Sequence, residues 1–258
     1  MERRTHFLAR WESKLSYRPK VSVCIATYQG SRYIAQQLRS ILPQLLPDDE
    51  IIITDDGSTD CTCAEILSLR DPRISLTCSP INRGLLRSFE ASVLRATGDI
   101  VFLSDQDDLW LPHKVEIVLD RFAKDPGILL TASDAIVIDQ HGGLLSESYY
   151  KIRGHFREGI FSNLMICRFL GCTMAFRSQL LRKALPFPDS PLIHHDVWLG
   201  CVNTLVRGKT EYIPRPLVAY RRHANCATAA PRSLSRRLKV RLQLSLALLR
   251  LGLTGVSR

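Results

Sequence analysis

Between Val21 and Leu103 the chain repeats one pattern: a short apolar run, a polar loop, then a longer amphipathic stretch. No other feature of the sequence restricts the fold as much. Val21-Ser22-Val23-Cys24-Ile25-Ala26, Glu50-Ile51-Ile52-Ile53-Thr54, residues 74–78 and Ile100-Val101-Phe102-Leu103 have the length and composition of strands. The stretches between them have helical spacing. Behind Ser31, the residues Ile34, Leu38, Ile41 and Leu42 share a face, a second helix runs through Ile66 and Leu69, and a third, from about residue 85 to 96, turns Leu86, Phe89, Val93 and Leu94 inward. Strands and helices that alternate at this spacing require right-handed crossovers, so the expected class is α/β with a mostly parallel central sheet flanked by helices.

The pattern changes after a helix that carries Val115, Val118, Leu119 and Phe122 as far as the Asp125-Pro126-Gly127 break. Residues 128–131 and 135–139 read as extended, His141-Gly142-Gly143 as a turn, 159–168 as a helix and 171–176 as a strand. A helix is expected over 196–206, and short strands over 211–213 and 217–222. We expect a basic lead-in over 1–20, one domain over 21–230 with halves 21–125 and 126–230, and a basic amphipathic C-terminal helix over 231–258. In that last segment Leu234, Leu238, Leu242, Leu246 and Leu249 share a face, with Arg236, Arg237, Lys239, Arg241 and Arg250 between them. Its longest uncharged run, 242–249, is far below the roughly 20 residues a membrane span needs. Such a helix suits peripheral contact with an anionic membrane, or packing on the domain or on a second subunit.

The formal net charge of +10 suggests nucleic acid until it is located. Residues 1–20 hold six Lys/Arg against two acids and residues 231–258 hold seven against none, which leaves the body nearly neutral. A nucleic-acid partner is therefore not expected. The eight cysteines, at 24, 61, 63, 78, 167, 172, 201 and 226, form no Cys-x-x-Cys pair, and the start Met-Glu-Arg-Arg-Thr-His is no secretory signal. Free thiols in a reducing cytoplasm, acting as small buried hydrophobes, fit this usage best.

At the end of the fourth apolar run stands Ser104-Asp105-Gln106-Asp107-Asp108-Leu109-Trp110. Three like charges this close repel unless a cation sits among them, and carboxylates one residue apart can share one hard divalent ion, Mg²⁺ or Mn²⁺. Helix capping alone needs a single Asp. In a parallel sheet three loops converge at the carboxyl edge: Thr27-Tyr28, Asp55-Asp56 and the acidic cluster. Tyr28 offers a ring face, Asp55 or Asp56 can accept from a base or ribose, and a metal on Asp107 would offset a diphosphate.

Together these residues resemble a known family. Ile25-Ala26-Thr27-Tyr28, Asp55-Asp56-Gly57-Ser58-Thr59-Asp60, Asn82-Arg83-Gly84 and Asp105-Gln106-Asp107-Asp108-Leu109-Trp110 are similar, in order and spacing, to the motifs of family 2 glycosyltransferases of the GT-A fold. The resemblance covers about residues 21–228. It implies a nucleotide-diphosphate sugar donor held by Thr27, Tyr28, Asp55, Asp56, Arg83 and Asp105, and a divalent metal on Asp107. His194-His195-Asp196-Val197-Trp198-Leu199 resembles the place where these enzymes keep their catalytic carboxylate, which makes Asp196 the candidate base. In Tyr220-Arg221-Arg222-His223, the resemblance implies His223 as a metal or diphosphate ligand, and Arg222 or Arg221 as a phosphate partner. Gly171, Cys172 and Thr173, with His195 and Trp198, are expected on the acceptor side. The wording of these motifs is similar to that of bacterial rhamnosyltransferases of cell-surface polysaccharide synthesis. That implies inverting transfer from dTDP-L-rhamnose to a glycan or lipid-linked acceptor, with a UDP-hexose or UDP-N-acetylhexosamine donor as the alternative. A non-catalytic nucleotide-sugar scaffold, a phospho-receiver domain and a nucleotidyltransferase are the competing classes. The second needs an Asp where Thr77-Cys78-Ser79 stands, and the third needs a Gly-rich basic loop that is missing after Ala26.

Overall fold

The computed structural model describes residues 18–157, 159, 169–223 and 234–255. Its first half realises the expected crossovers: β1 (Val21–Thr27), α1 (Ile34–Ile41), β2 (Glu50–Asp55), α2 (Thr62–Ser68), β3 (Ile74–Cys78), α3 (Leu85–Leu94) and β4 (Ile100–Ser104). Both faces of β1 are covered. Val21, Val23 and Ile25 pack with Ile34, Leu38 and Ile41 of α1, whereas Cys24 and Ala26 pack with Leu86, Phe89 and Val93 of α3. Leu94 departs from the expected inward face and is 63% exposed, because α3 ends there and turns it to solvent.

β5 (Leu109–Trp110), α4 (Lys114–Lys124), β6 (Ile128–Ile138), β7 (Leu144–Ser146), α5 (Tyr149–Arg153), β8 (Met174–Arg177), α6 (Leu181–Ala184), α7 (His195–Leu205), β9 (Lys209–Arg221) and α8 (Leu234–Gly255) follow. The order across the sheet is β3-β2-β1-β4-β8-β6-β9-β5, with β7 on β6. The strands β3, β2, β1 and β4 are parallel, β8 is antiparallel to β4 and β6, β6 and β9 are parallel, and β5 is antiparallel to β9.

Two pairs of expected short strands merge here. Residues 128–138 form one strand, β6, and residues 211–221 fall on the long β9, with Arg222 just past its end. Pro214 and Pro216 suggest a break, but they lie where the β6–β9 register shifts between Ser133 and Asp134, a place where missing ladder donors are tolerated. The segment 171–176 is split, with Gly171–Thr173 a 3₁₀ turn ahead of β8. The helix expected over 159–168 lies outside the described residues apart from Gly159.

α8 packs against α7's side of the sheet through Leu244 and Leu248, 1% and 7% exposed, with Ala247 and Leu251 beside them. The leucines expected to share its working face, Leu238, Leu242, Leu246 and Leu249, point the other way and are 46–63% exposed. No helix among the described residues is long and apolar enough to cross a membrane.

Candidate active site

The carboxyl edge of β1, β2 and β4 meets α7 and the end of β9 around a cavity of about 640 Å³. Thr27, Tyr28, Asp56, Asp105, Asp107, Asp196 and His223 all line it. Tyr28 is about half exposed and presents its ring to the opening. Gln106 ties the first and third loops together, its Oε1 accepting from Tyr28 N at 2.9 Å and its Nε2 donating to Tyr28 O at 3.0 Å. Both oxygens of Asp56 are used to fix the next loop, accepting from Arg83 N and Gly84 N at 2.7 and 2.8 Å. Asp55 is buried and shapes its own loop through Thr27 Oγ1, Ser58 N and Ser58 Oγ at 2.9, 2.8 and 2.6 Å.

Asp107 Oδ2 lies 2.7 Å from His223 Nε2, with both side chains partly open to the cavity. Behind this pair Arg221, 2% exposed, acts as a clasp. Its Nε donates to Asp107 O at 2.7 Å, its backbone N to Asp108 Oδ1 at 2.8 Å, and its guanidinium lies 4.8 Å from the centroid of the Tyr33 ring. Beneath the acidic loop Lys114 is fully buried, donating to Cys172 O at 2.7 Å and lying 4.1 Å from the Trp110 ring centroid. Burial, then the charge of Asp107, pushes Asp108 up to about 7, and burial with the charges of Asp108 and Asp107 holds Asp105 well above the usual carboxylate range. Burial also draws Lys114 down to about 7, against the pull of Asp108 and Asp105. This surplus of carboxylate charge beside a cavity-facing oxygen and imidazole nitrogen is a donor set that suits a divalent ion.

Asp196 sits in the first turn of α7 and does not cap it; its Oδ1 accepts from Val197 N at 2.7 Å while the carboxylate faces the cavity. His195 precedes it, 4% exposed, its ring centroid 3.8 Å from that of Phe89. Neither ring nitrogen has a hydrogen-bond partner among the described residues, and burial lowers its pKa to about 4, so the imidazole is neutral. A Cβ at Gly171 would lie 2.6 Å from His195 Nε2, so only glycine leaves that ring its place.

The family model for glycosyl transferase family 2 matches residues 22–185. The chain belongs to that family. Family 2 relatives include an uncharacterized glycosyltransferase of Nostoc sp., 29% identical over 79% of this chain and 65% of the relative. Chondroitin synthase of Escherichia coli is 34% identical over 51% of this chain and 19% of its own length. The chain thus spans no more than about two thirds of these proteins. Among solved structures, Staphylococcus aureus TarS 1–349 in complex with UDP-GlcNAc superposes with a TM-score of 0.68 at 16% identity, over 89% of this chain and 66% of that one. Mannosyltransferase PcManGT from Pyrobaculum calidifontis, in complex with GDP-Man and Mn²⁺, gives 0.61 at 21% identity, over 95% and 71%. The fold is that of the GT-A glycosyltransferases.

Within this family 2 framework several expected site residues sit elsewhere. Arg222 is exposed and off the cavity wall, its backbone donating to Ile138 O at 2.8 Å, and Arg221 takes the inward position. One step along a strand reverses the face, and residue types alone do not give that parity. Cys172 and Thr173 are 1% exposed and lie below the cavity floor, where Thr173 Oγ1 donates to Leu170 O at 2.8 Å. Trp198 is likewise a core residue, its Nε1 donating to Ala184 O at 2.7 Å. Arg83 lines a second, adjoining cavity of about 250 Å³, which shares Gly84, Leu85, His194 and His195 with the first. Of the described cysteines, Cys24, Cys172 and Cys201 are buried as expected, but Cys61 and Cys78 are exposed and Cys63 is partly so. Lys114 and Gln106 were not singled out from sequence. The signal for Lys114 was a lone cation ten residues beyond Ser104, on the buried face that Val115 and Val118 define.

Proposed function

We propose that this chain transfers a sugar, with inversion, from a nucleoside diphosphate donor to a hydroxyl of a glycan acceptor. The observation that carries this reading is that one cavity gathers Tyr28 and Asp56, the Asp107–His223 pair and the Asp196 carboxylate. On this reading Tyr28 and Asp56 meet the nucleotide, with Asp105 at its ribose. Asp107 and His223 would hold the divalent ion, which when bound supplies positive charge against the leaving diphosphate. Asp196 takes the proton from the attacking acceptor hydroxyl, and a carboxylate that spends only one oxygen on Val197 N keeps the other for that task. His195, buried and neutral, packs behind Asp196 and fixes the start of the helix that carries it.

The donor favoured by the motif wording is dTDP-L-rhamnose, serving a cell-surface polysaccharide; a UDP-sugar is the second reading, favoured by the UDP-GlcNAc bound to TarS. The exposed leucine face of α8, with Lys239, Arg241 and Arg250 at its edges, suits an anionic leaflet that carries a lipid-linked acceptor.

A panel of nucleotide sugars assayed with Mn²⁺ and with EDTA tests the reaction. Asp107→Asn and Asp196→Asn should each lower turnover by roughly a hundredfold or more, the range of a general base or a charge-stabilising group. Asp196→Asn should still bind donor. Near-normal turnover by either variant would remove the role given to that residue.

A further inference from the structure

The β2–α2–β3 crossover gathers a second set of ligand-type side chains, separate from the Asp107–His223 pair. Asp55 ends β2 and Cys78 ends β3, and the two are register partners in the parallel ladder. Cys63 stands in the first turn of α2, whose entry lies over the same edge. The Cys63 and Cys78 sulfurs are 2.9 Å apart, and an Asp55 oxygen joins them in a group whose ligand atoms all lie within 4.8 Å of one another. Cys78 is exposed and Cys63 partly so, so solvent and ions reach the sulfurs.

Two sulfurs and one carboxylate are not a site for Mg²⁺ or Ca²⁺, which take oxygen ligands in larger number. They are the donors of a tetrahedral ion that keeps its fourth position for water. We infer that Asp55, Cys63 and Cys78 form a binding site for a thiophilic divalent cation of the zinc class, and that its occupation restrains the nucleotide-binding loop. Binding exchanges two thiol protons for two metal–sulfur bonds, with both protons released to solvent. An ion must displace the protons of both thiols, so the site requires one that competes with protons for sulfur. The second half of the inference rests on the reading of the Asp55–Asp56 loop as a nucleotide contact. Asp55 also anchors Thr27 and Ser58, so an ion drawing on its carboxylate pulls on that loop.

Co²⁺ added to the full chain is the probe. An intense thiolate-to-cobalt absorption band should appear, saturate near one equivalent, release two protons, and be displaced by Zn²⁺ but not by Mg²⁺. Cys63→Ser/Cys78→Ser should lose the band and Cys61→Ser should keep it. If the double variant melts early, Cys78→Ala alone serves, since that side chain is exposed. With a productive donor and excess Mg²⁺, Zn²⁺ should lower turnover at least tenfold, a chelator should restore it, and the double variant should be insensitive. No band in the wild type, a band that survives the double substitution, or a Cys63–Cys78 disulfide in chain prepared with reductant each overturns the site. A normal band with donor binding unchanged by Zn²⁺ overturns its coupling to the nucleotide loop. The cobalt titration needs no turnover, so failure of the transferase reading leaves it decisive.

Discussion

Gly171 and His195 pack directly against each other in the cavity wall. A methyl group at Gly171 must move either the His195 ring or the turn before β8, and overpacking of this kind costs about 1–3 kcal/mol. We expect Gly171→Ala to lower the melting temperature and, because His195 abuts Asp196, to reduce kcat/KM by roughly tenfold or more, to be read by paired melting and kinetic measurements. His195 also marks the acid limb of stability. Its folded pKa of about 4 lies below the ordinary 6.5, so between those values the unfolded chain binds the extra proton. Stability from this group is therefore complete above pH 6.5 and lost as the pH falls toward 4, by about 3 kcal/mol at most. Melting curves across that window should show a shallower decline for His195→Gln than for the wild type. At this scale the sequence revealed the acids, since three carboxylates on one strand end have no packing reason. It did not reveal Arg221 over Arg222, which depends on strand parity, or the buried Lys114, which depends on what lies behind the loop.

The C-terminal helix has two apolar faces on roughly opposite sides, and periodicity alone could find the helix without saying which face docks. Leu244 and Leu248 answer that, leaving Leu238, Leu242, Leu246 and Leu249 outward. Leu244→Ala should cost about 2–5 kcal/mol and be visible in melting, while Leu242→Gln/Leu246→Gln should leave melting nearly unchanged. If the outer face meets an anionic leaflet, the second pair should lose flotation with phosphatidylglycerol vesicles, and unchanged flotation removes that role. Excision of 231–258 is the poorer experiment, because it also strips Leu244 and Leu248 from the core. β6 and β9 were less legible than the first four strands for a related reason. Their buried polar residues, Ser133 and Asp134, and prolines 214 and 216 break the apolar run, and only the partner strand makes each continuous.

For the molecule as a whole, ligand and fold should be linked through the cavity. A donor and Mn²⁺ that bind only the folded chain stabilise it by about 3 kcal/mol at a hundred times Kd, so melting should rise by several degrees for the wild type, less for Asp107→Asn, and not after EDTA. The parallel half of the sheet was readable because each crossover is local. The other half was not, because β8, β6, β9 and β5 find partners far along the chain. One pairing carries a further consequence. β4 lies mid-sheet, and β5, five residues on, packs Trp110 beside Phe102 of β4 yet pairs with β9, so the acidic loop is pinned only once residues 218–221 are in place. Contacts separated by more than a hundred residues form late, since the chain entropy of closing so long a loop comes first. The parallel scaffold of β1 to β4 can thus assemble early, while the acidic loop is fixed last, when the distant β9 docks against it.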